Sequence, residues 1–382
     1  MKIPSILTNE DIESYYEKFN DESLNLPRGF KILRLGLLPR ICQFFITILK
    51  LNPNVCVKFF QLEDTDDEGI RELIADPHSL AAILMAEKVF GKDLNVNGKK
   101  QKIELKAKIN QALQLRLNES IHKKGHRLQL FAVDHSIAKY AYPICFYSPE
   151  GTTNLKQSSY YTALIERFIE STSKISNLSG DNTNSLGELI FELIENTDHH
   201  GKLDYESGKY ERSVRALVID YKLVTNEQIS SSIGGKGTAI TDYLEGIRAT
   251  NRTVHLLEIS LFDSGTGIAN NLGPTLEKII SNIDDEVMTV SASFAKGITS
   301  KLNNKGYGRG LHNVRKVLSE RNGFLAIRTG RVGLFRDFDA IPLIEKDDQN
   351  LTLYDETNKT DSNFKELKTV EGLACSILVP LK

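Results

Sequence analysis

Apolar residues recur along this chain in two rhythms, and the switches between them outline its elements. Leu37 to Leu51 is apolar at helical spacing and predicts a helix. Val55 to Leu62 predicts a strand, with Val55, Val57 and Phe59 on one face. An acidic turn follows from Glu63 to Glu68. Asp76 before Pro77 marks a helix start, because Asp caps free amides and Pro is tolerated in the first turn. That helix carries Leu80, Ile83, Leu84 and Met85 toward Phe90. A lysine-rich helix is expected over residues 99–119, and strands over Leu128–Val133 and Tyr140–Tyr147.

The polar stretch Gly151 to Lys156 reads as a linker. Beyond it, Tyr161, Leu164, Ile165, Phe168 and Ile169 predict a helix from Gln157 to Ser173, then a loop over Ser179–Asn184. Ser185 and Glu188 form a capping box. The stripe Leu186, Leu189, Ile190, Leu193 and Ile194 follows at once, and Gly201 is suited to a left-handed helix stop. Strands are expected over Ala216–Tyr221 and Leu256–Phe262, the latter with Leu257, Ile259 and Leu261 on one face. Leu311, Val314, Val317 and Leu318 outline one more helix. The pattern predicts an α/β protein in two parts: residues 1–155, a smaller α/β domain, and residues 156–382.

Composition adds little beyond exclusions. A net charge of −2 over 382 residues supplies no global field toward nucleic acid or acidic lipid. Cys42, Cys56, Cys145 and Cys375 are scattered, so neither a zinc site nor a disulfide framework is indicated. No apolar run is long enough to span a bilayer and the N-terminus, Met1-Lys-Ile-Pro, lacks the long apolar core of a signal peptide, so a soluble cytoplasmic protein is expected. The lysine run from Lys99 to Lys108 is interrupted by Glu104 and reads as a solvated face. His122 to Arg127 reads as a basic loop before a strand, and Asp134 with His135 as structural. Nucleic acid is unsupported as a partner.

Chemistry concentrates in three stretches of the second part. Glu188, Glu192 and Asn196 are four residues apart and share a helix face distinct from the apolar stripe. An Asn oxygen is a neutral hard ligand suited to Mg²⁺, and a carboxylate one turn earlier can orient an attacking water or hydroxyl. Asp263 ends a strand and is followed by Ser264-Gly-Thr-Gly267, then Ile268. A carboxylate there can accept from an adenine amino group, and glycines let ring and backbone approach. Lys305-Gly-Tyr-Gly-Arg-Gly310 enters the helix that begins at Leu311, a setting in which backbone amides and the helix dipole favour phosphate. It is neither a P-loop nor a dinucleotide fingerprint. His199 and His200 read as helix-end histidines rather than metal ligands.

The ordered set resembles the GHKL superfamily of gyrase B subunits, heat-shock chaperones, MutL proteins and histidine kinases, over residues 157–382. Glu192 to Asn196 is similar to the N box, Asp263 to Gly267 to the first glycine box, and Gly306 to Gly310 to the second. Gly372 to Pro380 resembles the closing strand of such domains, although Leu373 stands where many relatives have Thr. The resemblance implies an α/β sandwich, a mixed sheet backed by helices, with ATP and Mg²⁺ as cofactors. It implies Glu192 as general base, Asn196 as metal ligand and Asp263 as adenine acceptor. Gly265, Gly267, Ile268, Lys305, Gly306, Gly308, Arg309, Gly310 and Leu311 would complete the nucleotide site, under a mobile lid over residues 270–305. It implies a nucleotide-driven ATPase switch, with a protein partner or self-association. An anti-sigma-type serine/threonine kinase and a non-hydrolysing ATP-sensing module are the alternatives. No phosphoacceptor helix of the histidine kinases is present in the sequence, and the long stretch Gly201–His255 carries a glycine loop at Gly234 that reads as a surface insertion.

Overall fold

The computed structural model describes residues 1–31, 34–63, 66–96, 99–117, 122–124, 126–133, 146–147, 154–172, 180–201, 212–230, 237–248, 253–277, 279–297, 310–344 and 350–381. The chain opens with α1 (Asn9–Lys18), β1 (Ser23–Leu26), α2 (Leu37–Leu51), β2 (Cys56–Phe59), α3 (Asp67–Ala75) and α4 (Pro77–Met85). It continues through β3 (Val89–Phe90), β4 (Leu94–Val96), β5 (Lys99–Gln101), α5 (Lys106–Leu117), β6 (His122–Lys124) and β7 (Arg127–Val133). Then come α6 (Ser158–Thr172), α7 (Gly180–His200), β8 (Val214–Thr225), α8 (Asn226–Ser230), α9 (Ala239–Arg248) and β9 (Thr253–Asp263). The last described elements are α10 (Ile268–Leu272), α11 (Ile283–Ala292), α12 (Gly310–Glu320), β10 (Phe324–Gly330), β11 (Val332–Asp337), β12 (Tyr354–Asp355) and β13 (Val370–Pro380).

Eight strands form one sheet in the order β12-β11-β10-β13-β9-β8-β7-β6. Every neighbouring pair in it is antiparallel, so the mixed sheet expected from the resemblance is not what forms among the described strands. Parallel ladders are confined to a three-stranded sheet, β1-β2-β3. The α/β class stands.

Alternation along the strands assigns the two faces of the large sheet. Leu217 and Ile219 of β8, Leu257, Ile259 and Leu261 of β9, and Ile377 and Val379 of β13 share a core with α6, α7 and α12. Ala216, Val218 and Phe262 point the other way, into a core with Phe45 and Leu49 of α2 and Ile83 of α4. Near the other end of that face, Tyr243 and Leu244 of α9 cover Leu256, Phe324 and Leu378. The result is three layers, helix–sheet–helix.

This arrangement corrects the expected division at residue 155. β7 lies inside the large sheet, paired with β8 from Arg127↔Asp220 to Val133↔Val214, and α2 packs across β13 and β9. One core holds Leu128, Leu130 and Tyr147 together with Tyr161, Leu193 and Ile259, so residues from both sides of the expected boundary share it. α2 itself spans the residues its apolar pattern predicts and is pinned to the sheet at both ends. The Gly36 amide, just ahead of it, donates to Glu258 Oε1 at 2.7 Å. At its C-terminal end Lys50 Nζ donates to the Ser264 carbonyl at 2.8 Å and to Glu371 Oε2 at 2.6 Å.

Several local expectations shift for physical reasons. The acidic turn becomes the start of α3, because Asp66 accepts from the Gly69 amide and caps it. α4 stops at Met85, and Phe90 lies in β3. The lysine-rich stretch divides into β5 and α5, and the basic stretch from His122 supplies β6 and the start of β7. α7 begins at Gly180, so residues 180–184 of the expected loop and the cap at Ser185 give way to helix, while Ser179 lies outside the described residues. Tertiary contacts support the longer helix: Thr183 reaches Glu166 of α6, and Ser185 Oγ accepts from Arg321, just past the end of α12, at 2.8 Å. Tyr140–Cys145, Asp134 with His135, and the loop at Gly234 lie outside the described residues. Among the described residues no helix is long and apolar enough to cross a membrane.

Candidate functional site

α7 is the spine of the site. Its apolar stripe is buried on the sheet, which turns Glu192 and Asn196 toward α12; both are half-buried. The start of α12 comes so close that a Cβ on Gly310 would lie 3.0 Å from Glu192 Oε2 and 3.1 Å from Asn196 Nδ2. A side chain there would press on the ends of both side chains. One turn further along α12, Asn313 Nδ2 donates to Glu192 Oε1 at 3.0 Å. Asn196 Nδ2 is buried with no hydrogen-bond partner among the described residues.

The C-terminal end of α7 meets the Asp263 turn. Gly201 closes the helix through a bond from its amide to the Thr197 carbonyl at 2.7 Å. It is not among the left-handed glycines, so the expected conformational reason for it is replaced by a packing one. A Cβ at Gly201 would sit 2.8 Å from Asp263 Cβ, and one at Gly265 would sit 2.3 Å from the His200 carbonyl. Gly267 is left-handed at φ 87° and precedes α10. The Ile268 amide donates to Thr329 Oγ1 at 3.1 Å, and Thr329 in turn donates to the Gly372 carbonyl. Gly372, at φ 68°, passes so near the Asp263 backbone that any side chain there would overlap it.

Asp263 is 5% exposed. Burial pushes its carboxyl up to about 6, against the pull of the Gly265 amide and of Lys50 and Arg215. The Gly265 bond is 2.9 Å to Asp263 Oδ1. Arg215 stands opposite Asp263 in the β8–β9 ladder and pairs with Asp198 of α7 at 2.9 Å, where Tyr147 also donates to Asp198. A charged cluster thus fixes the end of α7 against the strand that carries Asp263.

The structure therefore brings Glu192, Asn196, Asp263, Gly265 and Gly310 together around one helix. Ile268 and Leu311 follow their glycines and are partly buried against the same core. Lys305, Gly306, Gly308 and Arg309 lie outside the described residues. The described part of the expected lid is docked: Val287, Val290 and Phe294 are buried. Glu286 of α11 is clasped by Arg331, whose Nε reaches Glu286 Oε2 at 2.8 Å and whose amide reaches Oε1 at the same distance. Sequence reasoning missed Asn313, Lys50, Arg215 and Thr329. Each acts through a partner on another element of the fold, so no local spacing could have found it.

The donors present fit a magnesium-bound triphosphate. Asn196 offers a buried amide nitrogen in want of an acceptor together with a neutral oxygen suited to a hard cation. Gly310 leaves the space that a side chain would fill, at the positive end of the α12 dipole. Among the described residues no three His, Cys, Asp or Glu side chains are grouped to hold a metal by themselves. Protein-family models, curated proteins and solved structures yield no match to this chain.

Proposed function

We propose that the chain is an ATP-binding switch that hydrolyses ATP with Mg²⁺ at the α7–α12–β9 junction, as a member of the GHKL superfamily. The observation that carries this reading is the contact of Gly310 with both Glu192 and Asn196, while the far end of the same helix abuts Asp263 and Gly265. Three stretches far apart in the chain thereby share one spine, as a single nucleotide would require.

In this reading Asp263 accepts the adenine amino group, held in place by Gly265 and backed by Lys50. Asn196 holds the metal and a phosphate oxygen. Glu192 takes the proton of the attacking water. When bound, Mg²⁺ neutralises charge on the phosphate oxygens. The N-terminal helices serve as the responding part, because α2 touches the Asp263 turn through Lys50 and the start of β13 through Gln43 and Thr47. Its residence would be cytoplasmic, with a protein partner or second copy as the reader of the switch.

The test is phosphate release from Mg·ATP by the full chain, together with binding of a non-hydrolysable ATP analogue. Micromolar to millimolar analogue binding that is weakened by Asp263→Asn, with turnover lost in Asn196→Ala, supports the reading. A parent chain that binds no adenine nucleotide ends it. Binding with no turnover, unchanged by Glu192→Gln, leaves the sensing module in place of the ATPase.

A further inference from the structure

Glu192 is the one carboxylate of the site whose orientation is set by a neighbouring carboxamide. Asn313 Nδ2 donates to Glu192 Oε1 at 3.0 Å, across the α7–α12 contact. The other oxygen, Oε2, lies on the side of Gly310 and Asn196. Asn313 falls three residues after Gly310, so both reach α7 from the first turn of α12. Asn313 is half-buried, while Val314, Val317 and Leu318 of the same helix are sealed into the core and fix its rotation about its axis.

We infer that Asn313 is a positioning residue for the general base: it holds Glu192 Oε1 so that Oε2 is aimed at the nucleophile. This rests on the ATPase reading. A glutamate has three side-chain torsions, and a base must lie within hydrogen-bond reach of the proton it takes. A donor on one oxygen removes most of that freedom. Asn313 touches neither metal nor nucleotide in this scheme and acts only through Glu192.

The variants Asn313→Ala and Asn313→Asp of the full chain separate positioning from structural support. Steady-state phosphate release at pH 8 and affinity for a non-hydrolysable ATP analogue are measured for each, with melting curves as the control for folding. Asn313→Ala should lower kcat about tenfold, the worth of one hydrogen bond to a charged group, with KM and analogue affinity within about twofold. Asn313→Asp is nearly isosteric, yet it sets a second carboxylate against Glu192 and should lower kcat about a hundredfold. A merely structural role gives the reverse order, with the isostere better tolerated than the truncation. Asn313→Asp turning over as fast as Asn313→Ala, or a rise in KM at constant kcat, overturns the positioning role. If Glu192→Gln abolishes turnover while both Asn313 variants keep the parent kcat, only the inference fails. If the parent releases no phosphate, or Glu192→Gln releases it at the parent rate, the ATPase reading and the inference fall together.

Discussion

The carboxylates of Asp263 and Glu192 lie at two levels of α7, and they are held by different means. Asp263 is sealed among backbone atoms: the Gly201, Gly265 and Gly372 main chains leave no room for a methyl group, and Lys50 braces the turn from behind. Glu192 is half-buried and positioned by side chains, Asn313 among them, beside an amide nitrogen still in want of a partner. One end of the site is rigid before any ligand arrives, at the cost of a buried charge. The other keeps its polar capacity in hand. In the ATPase reading the adenine is unchanged through turnover and can be met by a fixed shape, whereas the phosphates change number and charge. On the proposed reading, the difference between the two ends suits a fixed adenine socket and an adjustable phosphate end.

Four substitutions test that contrast, in order of expected size. Glu192→Gln should lower phosphate release about 10²- to 10⁴-fold, the usual worth of a general base, while analogue affinity in a titration holds. Asp263→Asn should weaken analogue binding and yet stabilise the fold at alkaline pH. The sign follows from a carboxyl raised from its ordinary value of 3.8 to about 6 by burial. The folded chain holds that proton more tightly than the unfolded one, so its contribution is full below pH 4 and is lost as pH rises through 6. At pH 8 the amide should raise stability by up to about 3 kcal/mol, and at pH 4 by almost nothing, read from melts of both proteins. Gly265→Ala should cost about 1–3 kcal/mol in denaturant unfolding, because its methyl group meets the His200 carbonyl, which cannot yield. Gly310→Ala should change stability by less than about 1 kcal/mol, since its methyl group meets only the ends of two side chains, while turnover falls. Equal destabilisation by the last two would erase the contrast between rigid and adjustable ends.

Much of this was readable from the chain alone where the physics is local. The range of α2, the inward face of β9 and the stripe of α7 follow from periodicity, and Asp263 falls at the end of its strand as its sequence neighbours imply. Ends and partners were less readable. α7 runs a turn and a half past its apparent cap because Thr183 and Ser185 find partners on α6 and just beyond α12, and Gly201 is demanded by the approach of Asp263 rather than by its own torsions. The order of strands, and with it the inclusion of β7 in the large sheet, depends on pairings with residues about 90 positions away, which no local pattern encodes. Lys50 reads as the charged end of an apolar helix, and only the fold reveals that it reaches the Ser264 carbonyl.

The position of β13 has a bearing on how the molecule is made. This strand comes after every other in the sequence, yet it is wedged between β10 and β9 in the middle of the sheet. Until residues 370–380 are in place, β6 to β9 and β10 to β12 are two separate ribbons, each with a long unpaired border. Assembly of the sheet must therefore wait on β13, and a fragment cut short of Val370 should clump rather than retain a half-working pocket.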